Sequence, residues 1–408
     1  MAAIRRYVKQ LLRKLVEINT SNPPGLNYEI MAETLREELE NLGLNVRLIE
    51  VSEKYFDKHY PCRPLHKGLR RVIVYACTGG GEPIIHFNCH YDVVPPGQGW
   101  SVNPFKLTIK HGKAYGRGTS DMKGGVTAVI ATLKSLVEKN IIDERRGAIE
   151  AVFVPDEEAG GVGTKYLVEN VLKVKPRYVI IPEPTSLRNI IIGHKGVIKG
   201  IIRVYGEQAH ASTPWFGVNA FLKASKLALK VTRVFRKKFA QALSKHPMEY
   251  KRSLYNTLTL GRYVVFAANK ESVVPGVFEF SFDIRTIPEE NVAEFARRFK
   301  SVVEKLTSNV EVKVTSVANS IVAKESKIAY IVRRCARKIL GYSPRETISS
   351  GRLDISYYMV SNIDAIAYGP GECSQPHRVD EYIKLSSIFK AVRVYEAVIR
   401  ELFNYNVT

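Results

Sequence analysis

The chain has 408 residues, 45% of them hydrophobic and 25% charged, a composition typical of a globular protein of about two or three domains. Its formal net charge is +21, but the lysines and arginines form no basic tract and no interleaved aromatic motif, which argues against a nucleic-acid partner. No apolar run reaches the length of a membrane span, and the N-terminus lacks the apolar core of a signal peptide. We therefore expect a cytoplasmic protein without a membrane partner. Five cysteines without a CxxC pair argue against a disulfide framework and against a cysteine zinc site.

The first part of the chain alternates helices and strands. Apolar spacing predicts an amphipathic helix at the N-terminus and a second helix from Tyr28 to Leu42, which ends at Gly43. Between them, the residues Ser21 to Gly25 (SNPPG) break the chain. The polar stretch from Ser52 to Leu69 contains two prolines and is typical of a long surface loop.

Apolar runs predict the strands of a large sheet. The predicted strands are residues 44–51, 71–76, 83–90, 148–154 and 177–181, and the predicted helices among them are 124–139 and 163–172. Because these strands are apolar throughout and alternate with helices, we expect a doubly wound α/β domain with a mostly parallel sheet covered on both faces.

A second pattern begins at about Gly196, where a strand, a helix, two strands, a helix and a strand follow one another. This β-α-β-β-α-β order predicts a ferredoxin-like α+β unit. Residues 328–402 then return to the pattern of the first domain. We therefore expect a discontinuous catalytic domain, residues 1–193 and 318–408, with an inserted domain, residues 194–317.

Acidic and histidine side chains follow the predicted strands at the sheet edge where sites form in such folds. Residues two apart in a strand point to one face, so His90 and Asp92 can share a site. Carboxylates at strand ends are usually solvated charges, but convergence of several with a histidine favours a metal centre. The converging set is His90, Asp92, Asp121, Asp156, Glu157, Glu158 and Glu183.

Five motifs occur in a fixed order over nearly the whole chain: HYDVVP, GRGTSDMKGG, DEEAGGVGT, PEPT and GPG…PH. Together they resemble the co-catalytic metallopeptidase family that includes acetylornithine deacetylase, succinyl-diaminopimelate desuccinylase, aminoacylase and carboxypeptidase G. The resemblance implies two divalent metal ions per subunit. It makes His90 a ligand of one ion, Asp121 the carboxylate that bridges both, and Glu158 and Glu183 terminal ligands. It makes His377 the ligand that completes the second site.

The resemblance also implies roles around the ligands. Asp92 would hold the histidine ligand in its metal-binding tautomer, and Glu157 would be the general base. In the family a histidine of the inserted domain, often from the partner subunit of a homodimer, helps to stabilise the oxyanion, and His210 matches it. The family's cis peptide bond falls here between Asp121 and Met122, where we expect it too.

The chemistry follows from those roles. Two ions about 3.5 to 4 Å apart would hold a bridging water and lower its pKa. Glu157 would take the proton of this water as it attacks the amide carbonyl, and would then deliver the proton to the leaving amine. Zinc is the expected metal, with cobalt or manganese as alternatives, because mixed nitrogen and oxygen ligands suit all three.

Four further residues bear on the substrate. The motif GHKG around His194 is similar to acetylornithine deacetylases, whereas desuccinylases carry an arginine at that position. Arg285 matches the family's arginine for the substrate carboxylate. Gly351 and Arg352 lie in the loop SSGRLD, where a threonine is common in place of Arg352. Arg352 is either a second contact for a substrate anion or a salt-bridged loop residue.

We therefore expect a metal-dependent amidohydrolase of amino-acid biosynthesis that acts on an N-acyl amino acid, in the manner of acetylornithine deacetylase. The alternatives are a succinyl-diaminopimelate desuccinylase and a carboxypeptidase for short peptides. A more remote alternative is a non-catalytic protein that binds polyanions. The inserted domain would serve as a lid and as the contact of a homodimer.

Overall fold

The chain forms two compact units in a computed structural model that describes residues 2–62, 65–78, 80–141, 147–266 and 270–403. Unit 1 comprises Met1–Ile192, Ala323–Glu346 and Leu353–Thr408. Unit 2 comprises Gly193–Val322 and the short segment Thr347–Arg352. No helix in the described part of the chain is both long and apolar enough to cross a membrane.

The helices and strands lie close to the predicted ranges. The helices are α1 (Ala2–Glu17), α2 (Tyr28–Glu40), α3 (Glu53–His59), α4 (Gly124–Glu138), α5 (Val162–Tyr166), α6 (Ala220–Lys238), α7 (Val292–Glu304), α8 (Lys327–Leu340), α9 (Ile355–Val360) and α10 (Leu385–Leu402). The strands are β1 (Asn45–Glu50), β2 (Val72–Thr78), β3 (Pro83–His90), β4 (Thr108–Lys110), β5 (Lys113–Tyr115), β6 (Ala148–Val154), β7 (Tyr178–Pro184), β8 (Asn189–His194), β9 (Gly196–Tyr205), β10 (Thr257–Phe266), β11 (Val277–Thr286), β12 (Val310–Ala318), β13 (Ile321–Val322), β14 (Arg345–Ser349), β15 (Asp364–Gly369) and β16 (Tyr382–Lys384). The pattern did not predict α3, α9, β8, β13, β14 or the small sheet of β16, β5 and β4.

Unit 1 is a mixed α/β unit built on one large sheet, in which the strand order is β1-β2-β6-β3-β7-β15-β8. The central pairs β6–β3, β3–β7 and β7–β15 are parallel. The flanking pairs β1–β2, β2–β6 and β15–β8 are antiparallel. The parallel centre matters for the site because neighbouring parallel strands end at the same edge of a sheet.

Helices cover both faces of the central strands in unit 1. Alternate residues of β6 point to opposite faces, as the pleat of a strand requires. Ile149 and Phe153 pack into one core with residues of α1, α2, α4, α8 and α10. Val152 and Val154 pack into a second core with residues of α3 and α5. Burial on both faces explains why β6 is apolar along most of its length.

Unit 2 contains a four-stranded antiparallel sheet with the order β10-β11-β9-β12. Its elements follow the chain as strand, helix, strand, strand, helix and strand. The helices α6 and α7 bury residues such as Phe235 and Phe299 against Ile202 and Phe282 of the sheet. Unit 2 thus has a hydrophobic core of its own.

The stretch from Ser52 to Leu69 is not a plain surface loop, and that prediction is wrong. It contains α3, and it buries Phe56 and Tyr60 almost completely. The rings lie over the guanidinium group of Arg71, whose Cζ is 4.3 Å from the Phe56 ring centre and 5.3 Å from that of Tyr60. The stretch from Ser52 to Leu69 is polar in composition, so its sequence does not predict that aromatic rings pack on a charged group.

We predict that Gly125→Ala destabilises unit 1. A Cβ atom on Gly125 in α4 would lie 2.3 Å from the carbonyl oxygen of Pro182 in β7, and a strand backbone cannot move aside easily. The overpacking should lower the free energy of unfolding by about 1–3 kcal/mol, measured by urea unfolding. In the control Gly80→Ala the new Cβ meets no atom within 4 Å, so a change below about 0.5 kcal/mol is expected. Equal stability of the two variants would contradict the close packing of α4 on β7.

Candidate metal centre

Three neighbouring parallel strands bring the predicted ligands to one edge of the sheet in unit 1. His90 is the last residue of β3, which lies between β6 and β7. Glu157 and Glu158 follow the end of β6, and Glu183 lies near the end of β7. Because the three strands run in the same direction, their carboxyl ends place these side chains close together.

The first ligand cluster consists of His90, Asp121 and Glu183, all buried. One ligand atom from each residue lies within 4.8 Å of the other two. Nε2 of His90 is 3.1 Å from Oδ1 of Asp121 and 3.9 Å from Oε1 of Glu183. An imidazole nitrogen and two carboxylate oxygens at these separations suit a divalent transition-metal ion.

The second ligand cluster consists of Asp121, Glu158 and His377. Nε2 of His377 is 2.9 Å from Oε2 of Glu158 and 3.8 Å from Oδ2 of Asp121. Asp121 thus turns Oδ1 to the first cluster and Oδ2 to the second, as a bridging carboxylate must. The peptide bond between Asp121 and Met122 is cis, as expected.

The carboxylates of the two clusters repel one another, and positive charge between them would stabilise the site. Burial raises the pKa of both Glu158 and Glu183, and the negative charge of Asp121 raises each pKa further. Oε1 of Glu183 is buried and has no hydrogen-bond partner within the described ranges. Divalent cations would offset this repulsion, so the residues present fit the metal ions that the resemblance implies.

Asp92 does not belong to either cluster but holds three of its neighbours. Its carboxylate accepts hydrogen bonds from the backbone N–H groups of Glu157, at 3.2 Å, and Glu158, at 3.1 Å. Nδ1 of His90 lies 3.4 Å from Oδ1 of Asp92 and 3.0 Å from its carbonyl oxygen. A proton on Nδ1 directed at Asp92 leaves Nε2 of His90 free to bind a metal ion.

A buried network behind Asp92 was missed by the analysis of the sequence. Nδ2 of Asn22 donates to both Asp92 and Asp156, at 2.9 Å in each case. Asp156 also accepts hydrogen bonds from Nε of Arg71, at 3.3 Å, and from the hydroxyl of Tyr28, at 3.1 Å. The motif SNPPG contains Asn22, but its composition predicts only a turn.

Glu157 follows β6 next to Glu158 and has a strongly shifted pKa. Burial raises its pKa well above the usual range of a glutamate, and the negative charges of Asp354 and Glu183 raise it further. Asp354 is buried and accepts a hydrogen bond from the hydroxyl of Thr164. Asp354 ends the motif SSGRLD, in which Gly351 and Arg352 alone were singled out as candidates.

The remaining predicted residues lie in unit 2. His210 is exposed, and its Nδ1 is 2.7 Å from the hydroxyl oxygen of Ser212. Arg285 directs its guanidinium fork at Asp283, with distances of 2.7 Å and 3.2 Å. The N–H group of Gly351 donates to the hydroxyl of Ser349, at 3.1 Å.

His194 is a buried histidine of unit 2 whose pKa is lowered. Burial lowers the pKa of His194 to about 4, although a hydrogen bond to the carbonyl oxygen of Lys195 opposes this shift. The positive charges of Arg352 and Arg285 lower the pKa further. Positive charge of this kind favours an anionic group of a ligand.

The chain is similar in sequence to known proteins along most of its length. A sequence model of peptidase family M20/M25/M40 matches residues 86–401. A Staphylococcus aureus protein named probable succinyl-diaminopimelate desuccinylase is 27% identical over 424 residues, covering 96% of this chain and 97% of that protein.

Two solved structures share the fold. A tripeptidase from Staphylococcus aureus has a TM-score of 0.73 at 20% identity and covers 98% of this chain and 99% of its own. An M20 family metallo-carboxypeptidase from Sulfolobus solfataricus has a TM-score of 0.73 at 19% identity and covers 97% of this chain and 99% of its own. The sequence match spans more than half of the chain and includes every metal-ligand candidate. The chain therefore belongs to peptidase family M20/M25/M40 and is a metal-dependent hydrolase of amide bonds.

Proposed function

We propose that the protein removes the acyl group from an N-acyl amino acid that carries a free carboxylate, using two divalent metal ions. The observation that carries the proposal is the position of Asp121. One of its oxygens faces His90, and the other faces His377 and Glu158. A carboxylate shared in this way between two ligand sets is typical of two-metal hydrolytic sites.

The metal ions would be held by His90, Asp121 and Glu183 in one site and by Asp121, Glu158 and His377 in the other. We propose zinc, with cobalt or manganese as alternatives, since two of the ligands are imidazoles and the others carboxylates. When bound, the ions would polarise the amide carbonyl and lower the pKa of the attacking water.

Glu157 acts as the general base in this proposal. It takes a proton from the attacking water and delivers it to the leaving amine. A raised pKa suits both tasks, since a group that titrates near the working pH can accept a proton and release it again. Asp92 supports this role because it accepts the backbone N–H of Glu157 and thereby limits where the carboxylate can lie.

Arg285, Gly351 and Arg352 are the proposed contacts of the substrate carboxylate. The positive charges that lower the pKa of His194 support an anionic substrate. Arg285 pairs with Asp283, so a substrate carboxylate would share this guanidinium group with Asp283.

The alternative substrates differ in their acyl group. The name of the Staphylococcus aureus relative favours a desuccinylase, and that of the Sulfolobus solfataricus structure favours a carboxypeptidase. Against a desuccinylase stands His194, at a position where the resemblance to desuccinylases requires an arginine. We therefore rank an N-acetyl amino acid first and an N-succinyl amino acid second.

We further propose that unit 2 is a ferredoxin-like lid and dimerisation domain and that His210 serves the site of the partner subunit. Unit 2 exposes large apolar side chains close to His210 in sequence. Trp215 and Phe216 are 71% and 75% exposed, and Leu222 is more than half exposed. Apolar side chains exposed in this way are typical of an interface with another chain.

We predict that Glu157→Gln abolishes hydrolysis while sparing metal binding. Amine release should be measured on N-acetyl and N-succinyl amino acids and on dipeptides, with zinc- or cobalt-loaded and chelated protein. The loaded wild type should turn over N-acyl amino acids, and loss of the base should lower kcat by about 10²- to 10⁴-fold. A wild type that binds two metal ions, hydrolyses none of the panel and binds DNA with a steep salt dependence would instead favour the polyanion-binding alternative.

We predict that Asp354→Asn moves the acid limb of the pH profile to lower pH. Activity requires Glu157 in its deprotonated form, so kcat/KM falls as the pH drops through the pKa of Glu157. Removing the negative charge of Asp354, which raises that pKa, should shift the limb to lower pH. The control Thr164→Val keeps the charge and should leave the limb near its wild-type position. An unmoved limb in Asp354→Asn would argue against Glu157 as the titrating base.

We predict that His210→Ala and Glu157→Gln complement each other. Each variant alone should be nearly inactive, but a mixed dimer carries one site with both Glu157 and a His210 from the partner. Random mixing should therefore restore about a quarter of wild-type activity. Light scattering on the same samples measures the oligomeric state. A fully active monomer, or a mixture that stays inactive although subunits exchange, would rule out a histidine acting in the partner's site.

A further inference from the structure

We propose that Glu381 is a positioning residue which, together with Arg117, fixes the positions of Asp121 and His377. The affinity of the second ligand cluster for a metal ion therefore depends on Glu381. The inference rests on the two-metal site of the proposed function. Neither residue was a candidate from the sequence, and neither is a metal ligand in the clusters described above.

The carboxylate of Glu381 is buried and organises the segment that ends in Asp121. Oε2 accepts hydrogen bonds from the N–H of Gly118, at 2.9 Å, and from Nη1 of Arg117, at 2.7 Å. Oε1 accepts from the N–H groups of Ser120, at 2.7 Å, and Asp121, at 3.0 Å. Three backbone N–H groups and one guanidinium thus converge on one carboxylate, an arrangement typical of an anion-binding nest.

Arg117 makes the reciprocal contact to the segment that carries His377. Its Nη1 donates to the carbonyl oxygen of Arg378, the residue after His377, at 3.1 Å. Its Nη2 donates to the carbonyl oxygen of Pro96, at 3.2 Å, and its Cζ lies 5.1 Å from the ring centre of Trp100. The ion pair therefore ties each of the two ligand-bearing segments to the other.

His377 depends on such contacts because its own side chain is 57% exposed. Its backbone has a φ of 63°, which lies in the left-handed region that non-glycine residues rarely adopt. The segment is tied a second time by Ser120, whose hydroxyl accepts the N–H of Glu372 at 2.8 Å and donates to the carbonyl oxygen of Tyr382 at 3.0 Å. Hydrogen bonds to the segment of Asp121, rather than burial of the imidazole, hold His377 in place.

The two metal sites should respond unequally to loss of Glu381. In the first cluster two of the three ligands, His90 and Glu183, lie on β3 and β7 of the large sheet. In the second cluster two of the three ligands, Asp121 and His377, lie on segments held by the ion pair. Loss of the carboxylate should therefore weaken the second site more than the first.

The substitution Glu381→Gln removes the negative charge of the carboxylate with little change in side-chain volume. It also replaces one acceptor oxygen by an NH₂ group, which would face N–H donors where Glu381 presents an acceptor. Asp364 offers a matched control in the same unit. Its carboxylate accepts hydrogen bonds from the hydroxyl of Ser326, at 2.6 Å, and from the N–H groups of Lys327, at 2.8 Å, and Ile328, at 3.1 Å, at the start of α8.

The experiment titrates Zn²⁺ into metal-free wild type, Glu381→Gln and Asp364→Asn by isothermal calorimetry, and records Co²⁺ absorption spectra of the same proteins. We expect two binding events in wild type and in Asp364→Asn. In Glu381→Gln one of the two events should lose about 10- to 100-fold in affinity, the range found when groups behind metal ligands are removed, while the other changes less. Thermal unfolding of all three reports how much each substitution destabilises the fold.

A milder variant, Ser120→Ala, keeps the inference testable if Glu381→Gln does not fold. It removes the second tie to the segment of His377 and should weaken the same event to a smaller extent. Unchanged affinity of the second site in the folded variants would overturn the inference, and so would equal weakening of both sites in Glu381→Gln and Asp364→Asn. A wild type that binds fewer than two ions would instead overturn the proposed function, and the inference with it.

Discussion

Repulsion among buried carboxylates is the constraint on which the architecture of unit 1 depends. Two unit charges 4 Å apart repel by about 4 kcal/mol at the effective dielectric constant near a protein surface. A ligand oxygen of Glu158 and one of Glu183 each lie within 4.8 Å of a ligand oxygen of Asp121, and Glu157 precedes Glu158 in the chain. Burial first, and then this repulsion, raise the pKa values of Glu157, Glu158 and Glu183. Binding of divalent cations relieves it, which joins the stability of the site to its chemistry.

Two further carboxylates, those of Asp92 and Glu381, accept backbone N–H groups and set the geometry of the residues around them. Asp92 holds the segment that carries Glu157 and Glu158. Glu381 holds the segment that ends in Asp121. Ligands on strands of the large sheet are positioned by the backbone hydrogen bonds between the strands. On the connecting segments, the backbone N–H groups next to the ligands need a side-chain acceptor instead.

Local patterns predicted the elements that a local pattern can encode. The apolar runs that form β3, β6 and β7 are buried on both faces, so their boundaries and the carboxylates that follow them were readable along the chain. Asn22 and Arg71 escaped notice because Asp156, the residue that both contact, lies 134 and 85 positions away. The sequence predicts a loop where α3 lies because its segment is polar in composition, although two of its aromatic rings pack both on the cation Arg71 and in an apolar core.

The sequence by itself determined the ligand types, their order along the chain and the family to which they belong, since these depend on residue identity and on spacing within single motifs. Only the tertiary structure decided which oxygen of Asp121 faces which cluster, that Arg285 already pairs with Asp283, and that Glu381 meets the amide of Asp121 across 260 positions. The physical reason is the range of the interactions. Periodicity and turn preferences act over a few residues, whereas a hydrogen bond between distant segments exists only after the sheet has brought them together.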